Sequence, residues 1–427
     1  MARAISFAAE TRPQLRRLAN GITLLTERLP HVRSVSLGVW ITTGSANEPP
    51  HLNGISHCLE HLLFKGTTTR TARQLMEAIE ARGGHLNAYT AREYTCVYAK
   101  TLDSYLDTAV EILGDLVCDS QLYDFEKERN VILEEIASNA DIPEEVIHDL
   151  FMSKLFPGHA LGAPISGGLK SVEQLSPDDV RAYYATWYRP GNMVISAAGH
   201  FDDDEILEAI GKAFASLPAG AAMAVPAYET PSLGAGIQEC RRKIAQSHYC
   251  VGFPGPATDS PDRFVYDVLC NALGGGSTSR LFERIREQEG LSYAIYSFQS
   301  SYYRAGLLGI YAAVAPENLN RALSATFEEL RDVRDNGLSA QETELNREQL
   351  KGSLLMALED TFHRMSRMAK SYIYHGRLVP VDEVLAQVDA VTAEAVQELA
   401  DRILQASKCL ITVLGPKNKL QLPEIPL

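Results

Sequence analysis

His57, Glu60 and His61 stand at positions i, i+3 and i+4 of the stretch His57-Cys58-Leu59-Glu60-His61. On a helix those positions share one face. Two neutral imidazoles so placed can grip one Zn2+ and leave a coordination site for water, and the carboxylate between them is close enough to take that water's proton. The order H-x-x-E-H is the inverse of the commoner H-E-x-x-H. The competing interpretation is a core helix whose histidines hydrogen-bond to backbone carbonyls. The segment from about Asn53 to Lys65 is predicted to be a short helix, with Leu59, Leu62 and Leu63 as its apolar surface and Gly66 as its stop.

A zinc site of this kind needs a third protein ligand, an acid on a second helix packed against the first. The run Phe125 to Ile136 offers one: Glu128, Val131, Ile132 and Glu135 fall on a single helical stripe, whereas Glu134 lines up with Lys127 and points elsewhere. An acid in line with a buried apolar stripe is costly unless it is paired or binds metal. Glu135 is therefore the expected ligand, and Glu128, two turns earlier, the acceptor behind the metal site. Ordinary solvated acids on a surface helix are the alternative.

These residues resemble the pitrilysin or insulinase family of zinc peptidases, in its mitochondrial-processing-peptidase-like branch of bacterial type. The inverted motif, the glutamate some seventy residues downstream and the earlier acid at Glu128 all match. Gly83-Gly84-His85-Leu86-Asn87-Ala88-Tyr89-Thr90 is similar to the family's glycine-led edge strand, which implies that Asn87, Ala88 and Thr90 bind substrate. Leu161-Gly162-Ala163-Pro164 and Tyr188-Arg189-Pro190-Gly191-Asn192-Met193 resemble its structural signatures. Arg286 and Tyr293 resemble the arginine and tyrosine pair that the family brings to substrate from its other domain. The resemblance extends from about Gln14 to near the C-terminus, and it implies two domains facing each other across a chamber.

The elements that must position these residues show a weak internal duplication. In the first half a strand Ser34 to Thr42 leads through the motif helix and a helix from Thr71 to about Arg82 to the strand Gly84 to Thr90. In the second, Ser247 to Phe253 leads through helices at Asp262 to Leu273 and Ser279 to Glu289 to Gly290 to Phe298. Gly84 corresponds to Gly290, Asn87 to Tyr293, and the strand from Met193 to the one from Cys409. The expected fold is α/β (α+β), with two homologous domains, each a mixed, largely antiparallel sheet covered by helices on one side. Residues 1–217 form the metal-binding peptidase domain, the Ala-, Pro- and Gly-rich residues 218–236 a linker, and residues 237–427 a substrate-binding domain without the metal motif. The second copy has Asp267, Cys270 and Asn271 in place of the motif. Its Gly274-Gly275-Gly276-Ser277 lacks the lysine of a phosphate-binding loop. The strands Leu37 to Thr42 and Tyr94 to Lys100 alternate as half-buried strands do, and Ala340 to His375 is predicted to form one extended helix or two abutting ones.

A chain of 427 residues exceeds what one hydrophobic core usually serves, and its hydrophobic content of 45% is that of a globular protein. No run suits a membrane span. Met1 to Arg17 holds four arginines without the apolar core of a secretory signal, and a strand is predicted from Asn20 to Leu29, so a bacterial-type cytoplasmic protein is expected. Seven cysteines without C-x-x-C spacing argue against a disulfide framework, and Cys58, inside the motif, is expected on the back of its helix. The net charge of −14 argues against nucleic-acid partners.

The expected activity is that of a zinc metalloendopeptidase with one zinc per chain, held by His57, His61 and Glu135, acting on unfolded peptides or presequence-like segments. Glu60 is its general base. The resemblance implies a homodimer, or a heterodimer with a homologous subunit. Two alternatives stand beside this: a non-catalytic or partner-dependent subunit of the same fold, and a metal-dependent hydrolase of a small substrate.

Overall fold

The computed structural model describes residues 12–222 and 225–416. Most of the arginine-bearing stretch Met1 to Arg17 lies outside the described residues, as do residues 223 and 224 of the expected linker. Residues 218–235, where described, form no helix or strand.

Strands β1 (Gln14–Arg17), β2 (Thr23–Arg28), β3 (Ser34–Ile41), β4 (His85–Thr90), β5 (Thr95–Leu102) and β6 (Met193–Gly199) form one sheet in the order β1-β2-β6-β3-β5-β4. Strands β7 (Gly236–Arg241), β8 (Ser247–Gly255), β9 (Ser292–Ser301), β10 (Gly306–Val314) and β11 (Leu410–Gly415) form a second, in the order β7-β11-β8-β10-β9. Each sheet is antiparallel except for one pair, β2 with β6 and β7 with β11. The parallel pair and the open edge strands β4 and β9 occupy equivalent places, as the internal duplication predicts. The chain is thus a mixed α/β structure of two similarly built units.

In the first sheet the pleat sends Val35, Leu37, Val39 and Ile41 to one face, where they pack with residues of α1 (Ile55–Leu63), α2 (Ala72–Glu80), α3 (Leu106–Cys118) and α4 (Phe125–Asn139). The expectation of a sheet covered on one side is corrected by the opposite face. There Leu25, Trp40, Cys96, Val194 and Ala198 are buried under Met365, Met368 and Ala369 of the helix Thr361–His375. Gly38 makes room for this layer, since a Cβ there would stand 2.7 Å from the Trp40 ring. Hydrogen bonds seat the helix: Ser36 Oγ lies 2.8 Å from Thr361 Oγ1, and Ser196 Oγ donates to the Met365 carbonyl at 2.9 Å. Burial of both faces explains why β3 and β5 are nearly continuous in buried residues and not half-buried.

The predicted helical run Ala340 to His375 is two helices, Ala340–Ala357 and Thr361–His375, parted where the Asp360 carboxylate caps the second by accepting from the Phe362 and His363 amides. The two compact units consequently interleave along the chain. Unit 1 comprises the residues through Ile136 with Pro164–Tyr228 and Leu355–Val379. Unit 2 comprises Ala137–Ala163, Glu229–Leu354 and the described residues from Pro380 on. The contiguous ranges 1–217 and 237–427 therefore do not coincide with the units, because each half sends a helix to the other half's sheet. The first half's contribution is α5 (Pro143–Leu155), whose Phe151 lies against Gly252 of β8 and whose His148 stacks on Tyr311 of β10.

Candidate metal centre

Helix α1 starts two residues later than predicted, and its start is heavily anchored. Gly54 adopts φ +98°, a conformation that a side chain disfavours, with a would-be Cβ 2.7 Å from the Ser166 carbonyl. The buried Glu48 carboxylate accepts from the Gly54 and Ser56 amides, both at 2.8 Å, and from Asn53 Nδ2 at 3.0 Å. A carboxylate in this place satisfies helix N-terminal donors and complements the dipole. Ser56 Oγ lies 2.8 Å from the Tyr183 hydroxyl, which lies 2.7 Å from Thr43 Oγ1. Glu48→Gln, which replaces one acceptor oxygen by a donor, is expected to lower stability by about 1–3 kcal/mol in denaturant titration. An unchanged midpoint would show that the cap is dispensable.

The back of α1 is apolar: Ile55, Cys58, Leu59, Leu62 and Leu63 are all buried. Burial pushes the Cys58 thiol up to about 12, so it is an inert core group, as expected for the back of the helix. The motif residues occupy the other face. His57 and His61 are edge to face with ring centroids 4.7 Å apart. Glu135 comes from α4: its two carboxylate oxygens stand 3.7 Å from His57 Nε2 and 3.6 Å from His61 Nε2. The ligand atoms of these three residues all lie within 4.8 Å of one another, the sole such grouping of three or more His, Cys, Asp and Glu among the described residues. Two imidazoles and one carboxylate make the donor set of a hydrolytic zinc centre with an open position. Burial, with the neighbouring His61 second, lowers His57 to about 4, so at neutral pH the ring is uncharged and has a lone pair to offer a metal. The residues present fit a zinc ion.

Glu128 stands behind this set, with its Oε2 3.6 Å from His61 Nδ1 and its Oε1 2.8 Å from Lys65 Nζ. Glu134 is exposed, as the stripe predicts. Val131, expected on the same stripe, is instead 45% exposed; the buried line of α4 runs through Phe125, Glu128 and Ile132.

Glu60 points from the motif face to β4, where Thr90 Oγ1 donates to its Oε2 at 2.7 Å. Burial raises its pKa above the usual carboxylate range, partly offset by that hydrogen bond and by His61. Thr90, expected as a substrate contact, thus uses its hydroxyl to hold the expected base. Asn87 and Ala88 lie on the edge strand, and the Ala88 amide donates to Asn87 Oδ1 at 2.8 Å. Beside them is a pocket of about 420 Å3 lined by Phe64, Lys65, Ala72, Arg73, Met76, Leu86 and Asn87. A pocket of about 480 Å3 elsewhere in unit 1, around Arg33, Asp103 and His200, contains no motif residue.

Arg286 and Tyr293 belong to unit 2. Arg286 sits on the π-helical turn Phe282–Gln288, with its guanidinium 4.6 Å from the Phe282 ring and 4.4 Å from the Tyr293 ring, and it donates to the Tyr293 carbonyl at 3.0 Å. Tyr293 is 81% exposed at the start of β9. The helix matching α1 in this unit, Arg263–Gly274, carries side chains engaged in amide pairing: Asp267 accepts from Gln299, and Asn271 donates to Asn346. Sequence reasoning missed Glu48, Tyr183 and Lys65. Of these Lys65 alone had a signal, its i+4 spacing from His61.

Residues 23–168 match the model of the insulinase family, peptidase family M16, and residues 174–350 that of the peptidase M16 inactive domain. An uncharacterized zinc protease of Streptomyces coelicolor is 39% identical over 412 residues, spanning 95% of this chain and 90% of its own. The chain belongs to the M16 peptidase family. A second relative, the uncharacterized zinc protease YmxG of Bacillus subtilis, is 37% identical over 93% of this chain and 97% of its own. The fold is shared by a crystal structure described as a peptidase M16 inactive domain from Pseudomonas fluorescens, at TM-score 0.89 and 20% identity, covering 96% of this chain and 99% of that one. No helix among the described residues of this M16 chain is long and apolar enough to cross a membrane.

Proposed function

We propose that this M16 protein is a zinc endopeptidase of unfolded peptides or presequence-like segments. The observation that carries the proposal is the meeting of His57, His61 and Glu135 at one point, with Glu60 held beside them by Thr90. Zinc, when bound, polarises a scissile carbonyl and acidifies water toward neutrality. Glu60 takes the proton of the attacking water and delivers it to the leaving amine. The Glu128 carboxylate, 3.6 Å from His61 Nδ1, biases the orientation of that ring. The edge of β4 can take up an extended peptide as an added strand, which gives affinity through backbone hydrogen bonds with little demand on sequence. In doing so the peptide replaces the Asn87 side chain on the Ala88 amide. The family resemblance assigns Arg286 and Tyr293 to substrate carbonyls, and a paired chain, either homodimeric or with a homologous subunit, as the working form.

The test is digestion of a peptide library by the purified chain, with metal content and solution mass measured on the same sample. Extended peptides of a few dozen residues are expected to be cut and stably folded domains spared, since a folded domain cannot present a strand to β4. With a net charge of −14, Lys- and Arg-rich peptides are expected to be favoured at low salt and less so at high salt. Zinc-loaded chain that cuts no peptide, but gains activity with a homologous partner, would point to a partner-dependent subunit. Cleavage of small amides or esters alone would point to the small-molecule hydrolase.

A further inference from the structure

We propose that Lys65 is a positioning residue for the metal centre, acting through Glu128. Lys65 follows the last turn of α1, where its amide donates to the Leu62 carbonyl at 3.1 Å. The chain there turns the side chain back toward α4. Its Nζ lies 2.8 Å from one oxygen of Glu128, while the other oxygen lies 3.6 Å from His61 Nδ1. The Glu128 side chain is 4% exposed and that of Lys65 28%. So deeply buried a carboxylate requires a partner, and the shorter contact decides which way it faces.

With Oε1 held by the ammonium, Oε2 is left facing His61 Nδ1 at 3.6 Å, and its negative charge favours the tautomer that carries its proton there. That places the His61 lone pair on Nε2, the nitrogen that faces Glu135. Lys65 therefore orients the carboxylate that biases the tautomer and ring angle of a metal ligand, without being one of the three ligands itself. A purely structural role, joining the end of α1 to α4, would also use this ion pair. The two roles differ in what zinc affinity depends on.

The inference rests on the metal-site reading, and a double-mutant cycle tests it, with zinc affinity read by competition against a chromophoric chelator in the full chain. Lys65→Met, which keeps most of the aliphatic stem, is expected to weaken zinc binding about tenfold, with Lys65→Arg near the parent. Because Lys65 acts through Glu128, adding Lys65→Met to Glu128→Gln should cost nothing further. The double variant carries neither charge of the pair, so the comparison with Glu128→Gln remains measurable should Lys65→Met alone misfold. Zinc affinity of Lys65→Met within twofold of the parent, or a further tenfold loss on adding it to Glu128→Gln, would overturn the inference. A parent chain that binds no zinc would instead sink the metal site itself.

Discussion

Glu60→Gln will keep its zinc and its affinity for peptide while losing turnover by about a hundredfold to ten-thousandfold, the range over which a positioned general base contributes. The substitution preserves the shape of the side chain and an acceptor for the Thr90 hydroxyl, now 2.7 Å from Oε2, so the site should stay assembled. Only proton transfer is removed, and the loss should fall on kcat more than on KM. The pH profile offers a second readout. Burial raises the Glu60 carboxyl above the ordinary range, and the base works only when ionised, so kcat/KM of the parent is expected to fall as pH drops through that raised value. The residual activity of Glu60→Gln should lack this limb. Cleavage by the variant within tenfold of the parent rate would remove Glu60 from the mechanism.

Glu135→Gln will lose its metal while Glu134→Gln retains it. The neighbours differ in direction and not in chemistry: Glu135 reaches both imidazoles at 3.6–3.7 Å, whereas Glu134 is exposed. Removing a ligand should weaken zinc binding by more than the roughly ten- to hundredfold typical of outer partners. His57→Ala and His61→Ala should behave as Glu135→Gln does. Elemental analysis of the dialysed variants decides the matter; full zinc in Glu135→Gln with none in Glu134→Gln would reverse the assignment.

The candidate metal residues were legible because their signals are local. Spacing on one helix placed His57, Glu60 and His61 together, and a stripe on another separated Glu135 from Glu134. The stripe was nevertheless read one residue too wide at Val131, since periodicity gives a face of a helix but not how far its neighbours cover it. Glu48 had no such signal: its hydrogen bonds to Gly54 and Ser56 depend on the loop between them and on the left-handed turn at Gly54. The mixed α/β class and the duplicated order of strands and helices were legible in the sequence, but the exchange of helices between the halves was not. Met365, Met368 and Ala369 mark an apolar stripe, yet nothing in their spacing says that the stripe belongs on a sheet built from residues more than a hundred and fifty positions earlier. That sheet was accordingly expected to be covered on one side only.

The reciprocal placement of α5 and Thr361–His375 bears on how such a gene could be divided. A cut in residues 218–235 would look harmless, since the described part of that segment contains no helix or strand. Yet it would leave the N-terminal fragment with Trp40, Cys96 and Val194 uncovered and the C-terminal fragment without the Phe151 that fills the space at Gly252. Each product would be an incomplete protein with an adhesive apolar face, and each would hold the piece the other lacks. Two separately translated halves would therefore have to find one another in order to fold, so that what is now intramolecular packing would become an obligate association between two polypeptides.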